Sequence, residues 1–458
     1  MNRNRRKFLR AAAAGGVAYA FGRTPGTVYA QMAGAGGFAD YRALVCLFMF
    51  GGNDSWNMLV PNTTAEFDTY AASRGGFQGV GAGLAVPQTS LLAINPNASA
   101  TATYGLHPSM AGIQGLFQSQ RCALVTNVGP LVAPTTKAQY TAGSVPLPPQ
   151  LFSHNDQQDQ WHSLRGRTVS KSGWAGRIAD LLTAQLPNQQ LALNVSLAGQ
   201  TFFQAGATAT PYVMGATGPQ TFTGFGTTGI NLARRNAFTA VQNASYGTIY
   251  ERGFASVQKR AVQFADRVST AIANVPALTT VFPPGSALAT QLQTVAKLIA
   301  ARDQLSMTRQ VFFVSTGGFD THDDLVQDQP TLLGNISAAM TAFYNATLEL
   351  GVASQVTTFT QSDFGRTLTS NGDGSDHAWG GNQLVVGGAV QGQKIYGTFP
   401  QLNINGPDDV GGGRLIPTTS ADQYAATLAK WFGVTDAQLP QVAPSIANFA
   451  TKDLGFLA

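Results

Sequence analysis

A chain of 458 residues that is 44% hydrophobic can bury a large core, and with only 11% charged residues its surface must be covered mainly by Ser, Thr, Asn, Gln and Gly. The formal charge of +5 belongs to the first thirty residues, which hold six of the 28 Lys and Arg and none of the 23 acids. The remainder, with 22 basic against 23 acidic residues, is near neutral and carries no nucleic-acid footprint.

The N-terminus runs Arg5-Arg6-Lys7-Phe8-Leu9-Arg10, then a weakly apolar stretch over 11–21, then the small-residue site Val28-Tyr29-Ala30. This is the order of a twin-arginine signal peptide cleaved after Ala30, and it predicts export to the periplasm, the cell surface or the medium. The apolar run is too short and too rich in Ala and Gly to span ~30 Å of hydrocarbon, so no transmembrane anchor is expected after cleavage. Residues 31–458 read as a single domain. Short β-branched or aromatic runs predict buried strands over 43–50, 123–128, 191–197, 310–315, 355–361 and 383–390. Helical spacing predicts helices over 173–186, 256–275, 286–305, 331–350 and 421–432, the last opened by a Ser420/Gln423 capping box. Strands alternating with helices predict an α/β fold around one largely parallel or mixed central sheet between helices. The Gly/Thr-rich region near 200–250 has weak periodicity and reads as an insertion or extended cover. A Pro-rich stretch over 145–149 stiffens the entry to the polar motif behind it. Cys46 and Cys122 fall inside predicted strands, either as buried thiols or, in an oxidising compartment, as a disulfide.

Three carboxylates follow strands directly: Asp54 through Gly51-Gly52-Asn53, Asp320 through Gly317-Gly318-Phe319, and Asp363 after the 355–361 run. Ligands of open α/β sheets bind beyond the carboxyl ends of the strands, so these acids are expected to converge. Brought together without a cation they would repel, which points to a bound ion. The histidines lie in polar, turn-rich motifs: His322 in Asp320-Thr321-His322, His377 in Ser375-Asp376-His377, and His154 and His162 at either end of Ser153 to His162. Carboxylate with imidazole suits a hard or borderline divalent cation. His107, before Pro108, reads instead as an N-terminal contact of the helix that follows. If the segment after Ser153 is helical, Asn155, Asp159 and His162 share one face, and Ser153 stands at the N-terminus as a cap, a nucleophile or part of an anion site.

The twin-arginine start, Phe50-Gly51-Gly52-Asn53-Asp54-Ser55-Trp56-Asn57, Phe152-Ser153-His154, Gly317-Gly318-Phe319-Asp320-Thr321-His322, Ser362-Asp363-Phe364-Gly365-Arg366-Thr367, and Ser375-Asp376-His377 followed by Val385-Val386-Gly387-Gly388 resemble the exported family known as domain of unknown function 1501. The resemblance spans nearly the whole chain after the signal. That family is similar in pattern to the alkaline phosphatase and sulfatase superfamily. The resemblance implies an alkaline phosphatase-like sheet between helices and, usually, two divalent metals. It also implies an Asp after the first strand, a hydroxyl or thiol nucleophile at a helix start, an Asp and His pair, a further Asp, and a last His before an apolar strand. Asp54, Ser153, Asp320 with His322, Asp363 and His377 fill these places in order. Two departures stand out: Asp363 is followed by Phe364 where the pattern has His, and Asp320 and His322 are two apart rather than four. Either His154 replaces a missing ligand, or one metal is absent.

The sequence thus predicts an exported hydrolase of phosphate or sulfate esters, small or glycan-borne, using one or two ions of Zn, Mn, Mg or Ca. Asp54, Asp320, His322, Asp363 and His377 are the expected ligands, with Ser153 or a bound water as nucleophile. Arg366 or a second metal supplies positive charge, and His154 or His162 serves as leaving-group acid. The rival reading is a catalytically degenerate member of the fold, serving as a cell-surface, glycan-binding or structural protein. An exported redox protein fits the route, but the chain has neither suitable cysteine ligands nor a dinucleotide fingerprint.

Overall fold

The computed structural model describes residues 37–458 apart from 102, 187 and 221; the expected signal peptide lies outside the described residues. Among them, nine strands form one sheet: β1 Arg42–Met49, β2 Cys122–Gly129, β3 Asn194–Ser196, β4 Tyr212–Val213, β5 Arg309–Thr316, β6 Val356–Ser362, β7 Gly381–Gly387, β8 Lys394–Tyr396 and β9 Thr419–Ser420. Their order is β8-β2-β7-β6-β1-β5-β3-β4, with β9 also paired to β2. β7 runs antiparallel to both its neighbours, and every other pair is parallel. This is the α/β fold with a largely parallel, mixed sheet that the strand–helix alternation predicts.

The alternation of side chains on β1 explains why the sheet lies between two layers. Ala43, Val45, Leu47 and Met49 join one core with the helices Ala111–Gln118, Ala287–Ala300 and Leu325–Glu349. Leu44, Cys46 and Phe48 join a second with Trp174–Leu182 and Ala421–Phe432. Each such aliphatic or aromatic burial stabilises by ~1.5–3 kcal/mol, so a polar residue at any of these positions would be strongly disfavoured. Both cysteines are buried and free, and β6 and β7 separate their strands, which removes the disulfide alternative. The capping box on Ser420 and Gln423 is present.

Several boundaries differ from the sequence pattern: the helix expected over 331–350 begins at Leu325, that over 286–305 ends at Ala300, and the strand over 383–390 runs 381–387. The 200–250 region contains a helix, Gly229–Gln242, with no buried residue, and the next helix begins at Ile249 rather than near 256. Without burial, its apolar residues need not follow a core-facing stripe, which is why the periodicity there is weak.

The parallel register fixes the site. Met49 pairs with Thr316 on β5 and with Ser362 on β6, so the loops bearing Asp54, Asp320 and Asp363 leave the sheet at one level. Because β7 is antiparallel, its amino end lies at that same edge, and His377 arrives there just before it. The turn after β1 must be glycine. Gly51 has φ 115°, and a Cβ on it would stand 2.3 Å from the Asp320 backbone nitrogen; Gly52 has φ 86° and a Cβ there would stand 2.3 Å from the Phe364 ring. Gly51→Ala is therefore expected to lower stability by ~1–3 kcal/mol, read as a lower thermal unfolding midpoint.

Candidate metal centre

Four side chains meet at this edge. His154 comes from the first turn of the His154–Ser163 helix, Asp320 and His322 from the loop after β5, and His377 from the Ser375–His377 strand. Asp320 Oδ1 lies 3.4 Å from His154 Nε2, 3.3 Å from His322 Nε2 and 3.5 Å from His377 Nε2. Donor atoms of His154, Asp320 and His377 all lie within 4.8 Å of one another and could hold a metal ion. With metal–ligand distances of ~2.0–2.1 Å, a tetrahedral site sets its donors roughly 3.3–3.4 Å apart, which is the spacing seen around Asp320.

Each imidazole is held from behind by an oxygen. His154 Nδ1 is 2.6 Å from Asp363 Oδ2, His322 Nδ1 is 3.1 Å from Asp376 Oδ1, and His377 Nδ1 is 2.8 Å from the Phe152 carbonyl. A carbonyl or ionised carboxylate only accepts, so each Nδ1–H donates and, in the neutral ring, each Nε2 keeps its lone pair. Two such lone pairs, on His322 and His377, face each other at 2.8 Å, an arrangement that requires a proton or cation nearby. His154 Nε2 and Asp363 Oδ1 are buried with no hydrogen-bond partner among the described residues. The orphaned His154 nitrogen, beside the Asp320 carboxylate, fits a divalent ion that accepts both imidazole and carboxylate.

Burial alone would raise the Asp320 carboxyl, but the hydrogen bond and charge of Arg366, with His154 and His322, hold it below its ordinary value. Burial likewise lowers His377, opposed by the Phe152 carbonyl and reinforced by the neighbouring His154, Arg366 and His322. Phe152 itself sits at φ 71°, an outlier for a bulky residue that marks local strain beside the site. That conformation aims its carbonyl at His377 and starts the helix at the following residues.

Several expected roles need correction. Asp54 does not join the four: its carboxylate pairs with the fully buried Arg74, and Oδ1 accepts from the Trp56 backbone at 3.3 Å. Asp363 is present but behind His154, where its Oδ2 also accepts from Gly51 N at 3.2 Å and Gln158 at 2.9 Å. Arg366 cannot meet a substrate. Its buried guanidinium is committed to the carbonyls of Gly51, Gly52, Phe319 and Ser375 and to Asp320. His162 faces the apolar layer against Phe48, Phe203 and Phe313, where burial pushes it down to about 3. A ring so placed can deliver no proton to a leaving group. Ser153 opens the helix, and its hydroxyl donates to Asp156 at 2.8 Å rather than capping the backbone. His107 accepts from the Ser109 backbone at 3.2 Å, the helix-start contact expected of it.

Since Asp54, Asp320 and Asp363 each have a cation or donors of their own, repulsion among carboxylates does not demand an ion; the nitrogens of His154 and His377 with Asp320 could hold one. Sequence reasoning missed Asp376, although it adjoins His377, and the Phe152 carbonyl, which leaves no side-chain signal. Phe364 packs against His154 and His377 at ring separations of 4.8 and 4.6 Å, an apolar wall that offers no ligand.

Asp54→Asn should leave Arg74 buried without its counter-charge and cost ~3–5 kcal/mol in stability, with metal uptake by the folded fraction unchanged. Calorimetry and metal analysis on one sample test both halves. His162 gives a pH signature. Folding holds it below its ordinary 6.5, so its contribution is full above that value and is lost as pH falls toward about 3. His162→Phe should flatten the loss of stability across that window, measured by denaturation at a series of pH values.

No curated protein sequence matches the chain. Among solved structures, a sulfatase from Pseudoalteromonas sp. aligns at 11% identity and TM-score 0.34, covering 100% of this chain and 77% of that one. The lipoteichoic acid synthase LtaP from Listeria monocytogenes aligns at 7% identity and TM-score 0.36, covering 90% and 77%. The soluble domain of lipooligosaccharide phosphoethanolamine transferase A from Neisseria meningitidis aligns at 8% identity and TM-score 0.34, covering 89% and 94%. At these values the alignments assign neither substrate nor chemistry. The sequence pattern of the family described as Protein of unknown function (DUF1501) matches residues 41–443, and the chain belongs to that family.

Proposed function

We propose that this protein is an exported, metal-dependent hydrolase of phosphate or sulfate esters. The observation that carries the reading is the set of three imidazoles, each fixed through Nδ1, that turn bare Nε2 atoms toward Asp320 at 3.3–3.5 Å. His154, Asp320 and His377 would hold a divalent ion, which when bound supplies a Lewis acid for the non-bridging oxygens of the ester. Export by the twin-arginine route is part of the same proposal, resting on Arg5-Arg6 and the segment behind it.

The chain's own residues then divide the work. Ser153 lies between Phe152 and His154, both of which touch the cluster, and stands at a helix N-terminus that favours negative charge. Its Oγ attacks phosphorus or sulfur while its proton passes to Asp156, the acceptor 2.8 Å away. The bond to the leaving oxygen breaks as His322, backed by Asp376 and carrying on Nε2 the one proton that its close approach to His377 Nε2 calls for, gives that proton to the leaving oxygen. Water then releases the acid from Ser153 by the reverse proton movements. Arg366 acts as a positioning residue, holding Asp320 toward the imidazoles.

A second reading, a ligand-binding protein without turnover, is favoured by one observation: Arg366 is saturated by backbone carbonyls and Asp320, so it offers no donor to an ester's remaining oxygens. Two variants separate the readings. Asp320→Ala is expected to lower metal content and thermal stability together. Ser153→Ala should reduce turnover of aryl phosphates or sulfates at least ~10³-fold while metal content and fold persist. Metal uptake by the wild type without hydrolysis across a broad ester panel gives the site to the binding reading. Failure to take up any divalent ion removes both.

A further inference from the structure

The helices Gly229–Gln242 and Ile249–Ala273 form an antiparallel hairpin, joined across by the Arg235–Asp266 ion pair and by Lys259 to Asn243 at 2.6 Å. On the second helix, Tyr250, Phe254, Val257, Ala261, Phe264, Val268 and Ala271 recur at alternating steps of four and three. That is one continuous stripe. Its far end packs on the body, where Val268 and Ala271 enter the core and Phe264 lies against it. Its near end does not. Tyr250, Phe254 and Val257, with Ile230 and Val241 of the first helix, are 60–86% exposed.

These residues share one side of the hairpin. The half-buried positions 231, 235 and 242 of the first helix lie toward 255, 258 and 262 of the second, while Phe238 packs on Phe222 and Phe225. On each helix the apolar stripe lies roughly 110° from this contact in the same rotational sense, at 100° per residue. In an antiparallel pair, offsets of the same hand fall on the same side, so Ile230, Ala237 and Val241 continue the surface begun by Tyr250 and Phe254.

Charge selects the occupant. Residues 229–273 contain six Arg and Lys against two acids, Glu251 and Asp266, whereas the rest of the chain after residue 30 has 16 basic against 21 acidic residues. On the second helix Arg252 and Lys259 lie opposite the apolar stripe and Arg260 flanks it, the division of an interfacial helix pair rather than of a core. A second copy seated on the stripe would bring Arg234 and Arg260, which flank it, against their own counterparts. We propose that this hairpin docks the protein on an anionic lipid bilayer, seating Tyr250, Phe254, Val257, Ile230 and Val241 at the level of the headgroups. The inference is independent of the metal centre.

Flotation of the mature protein with phosphatidylcholine vesicles, with and without phosphatidylglycerol, tests it. Binding is expected to the anionic vesicles, to weaken with added salt, and to fall about tenfold in Tyr250→Ser/Phe254→Ser. Both positions are exposed, so circular dichroism of the double variant should match the wild type. Lys259→Gln/Arg260→Gln should reduce binding and its salt dependence together. Absence of binding to anionic vesicles overturns the proposal, as does binding that Tyr250→Ser/Phe254→Ser leaves unchanged. A concentration-dependent dimer abolished by Phe254→Ser, without vesicle binding, also overturns it by giving the face to a second copy.

Discussion

Arg366 fastens three separate stretches of chain with one guanidinium. Its Nε donates to Gly52 O at 3.0 Å, Nη1 to Ser375 O at 2.7 Å, and Nη2 to Gly51 O at 2.6 Å and Phe319 O at 3.1 Å, with Asp320 completing the set. These carbonyls belong to the turn after β1, the loop after β5 and the ribbon before β7. A planar fork of five donors can satisfy acceptors in several directions at once; a lysine ammonium in the same place could not. The glycines at 51 and 52 matter for the same reason, because their carbonyls reach Arg366 only if the backbone passes hard against Asp320 and Phe364.

From that anchoring follows the character of the cluster. Asp320 is pulled by Arg366 from one side and faced by three imidazoles on the other. The backing groups differ: carboxylates stand behind His154 and His322, a neutral carbonyl behind His377. A carboxylate behind a ring strengthens it as a ligand and fixes its orientation, so the three nitrogens are not equivalent. Phe364 closes one side of the cluster with an apolar ring that offers no ligand, which argues for one ion rather than two in the proposed centre.

Much of this was legible in the chain because strand ends announce themselves. A Gly-rich turn carrying Asp320, an Asp363 directly after its strand, and a polar His377 ahead of an apolar run follow directly from the rule that ligands gather at the carboxyl edge of an α/β sheet. What failed was partnership. Nothing in Phe50 to Asn57 says that Arg74, twenty residues on, will claim Asp54. Helical spacing put His162 on a face with Asp159 but could not say which face meets the sheet, and burial against Phe48 decided it. Backbone acceptors such as the Phe152 carbonyl depend on a dihedral angle, not on a residue type. The capping box at Ser420 was readable because its whole mechanism lies within four residues.

The lone antiparallel strand has a kinetic consequence. β2, with β8 and β9 beside it, is joined to the remaining strands through β7, so the sheet consists of two halves until residues 381–387 slot between 122–129 and 356–362. Such pairing closes a very long loop, and contacts of that range form slowly. His154 follows β2 in sequence, Asp320 follows β5 on the other side of the gap, and His377 precedes the strand that joins the two halves. The site is therefore incomplete until β7 is seated, and a chain in which it is not seated exposes two unpaired edges.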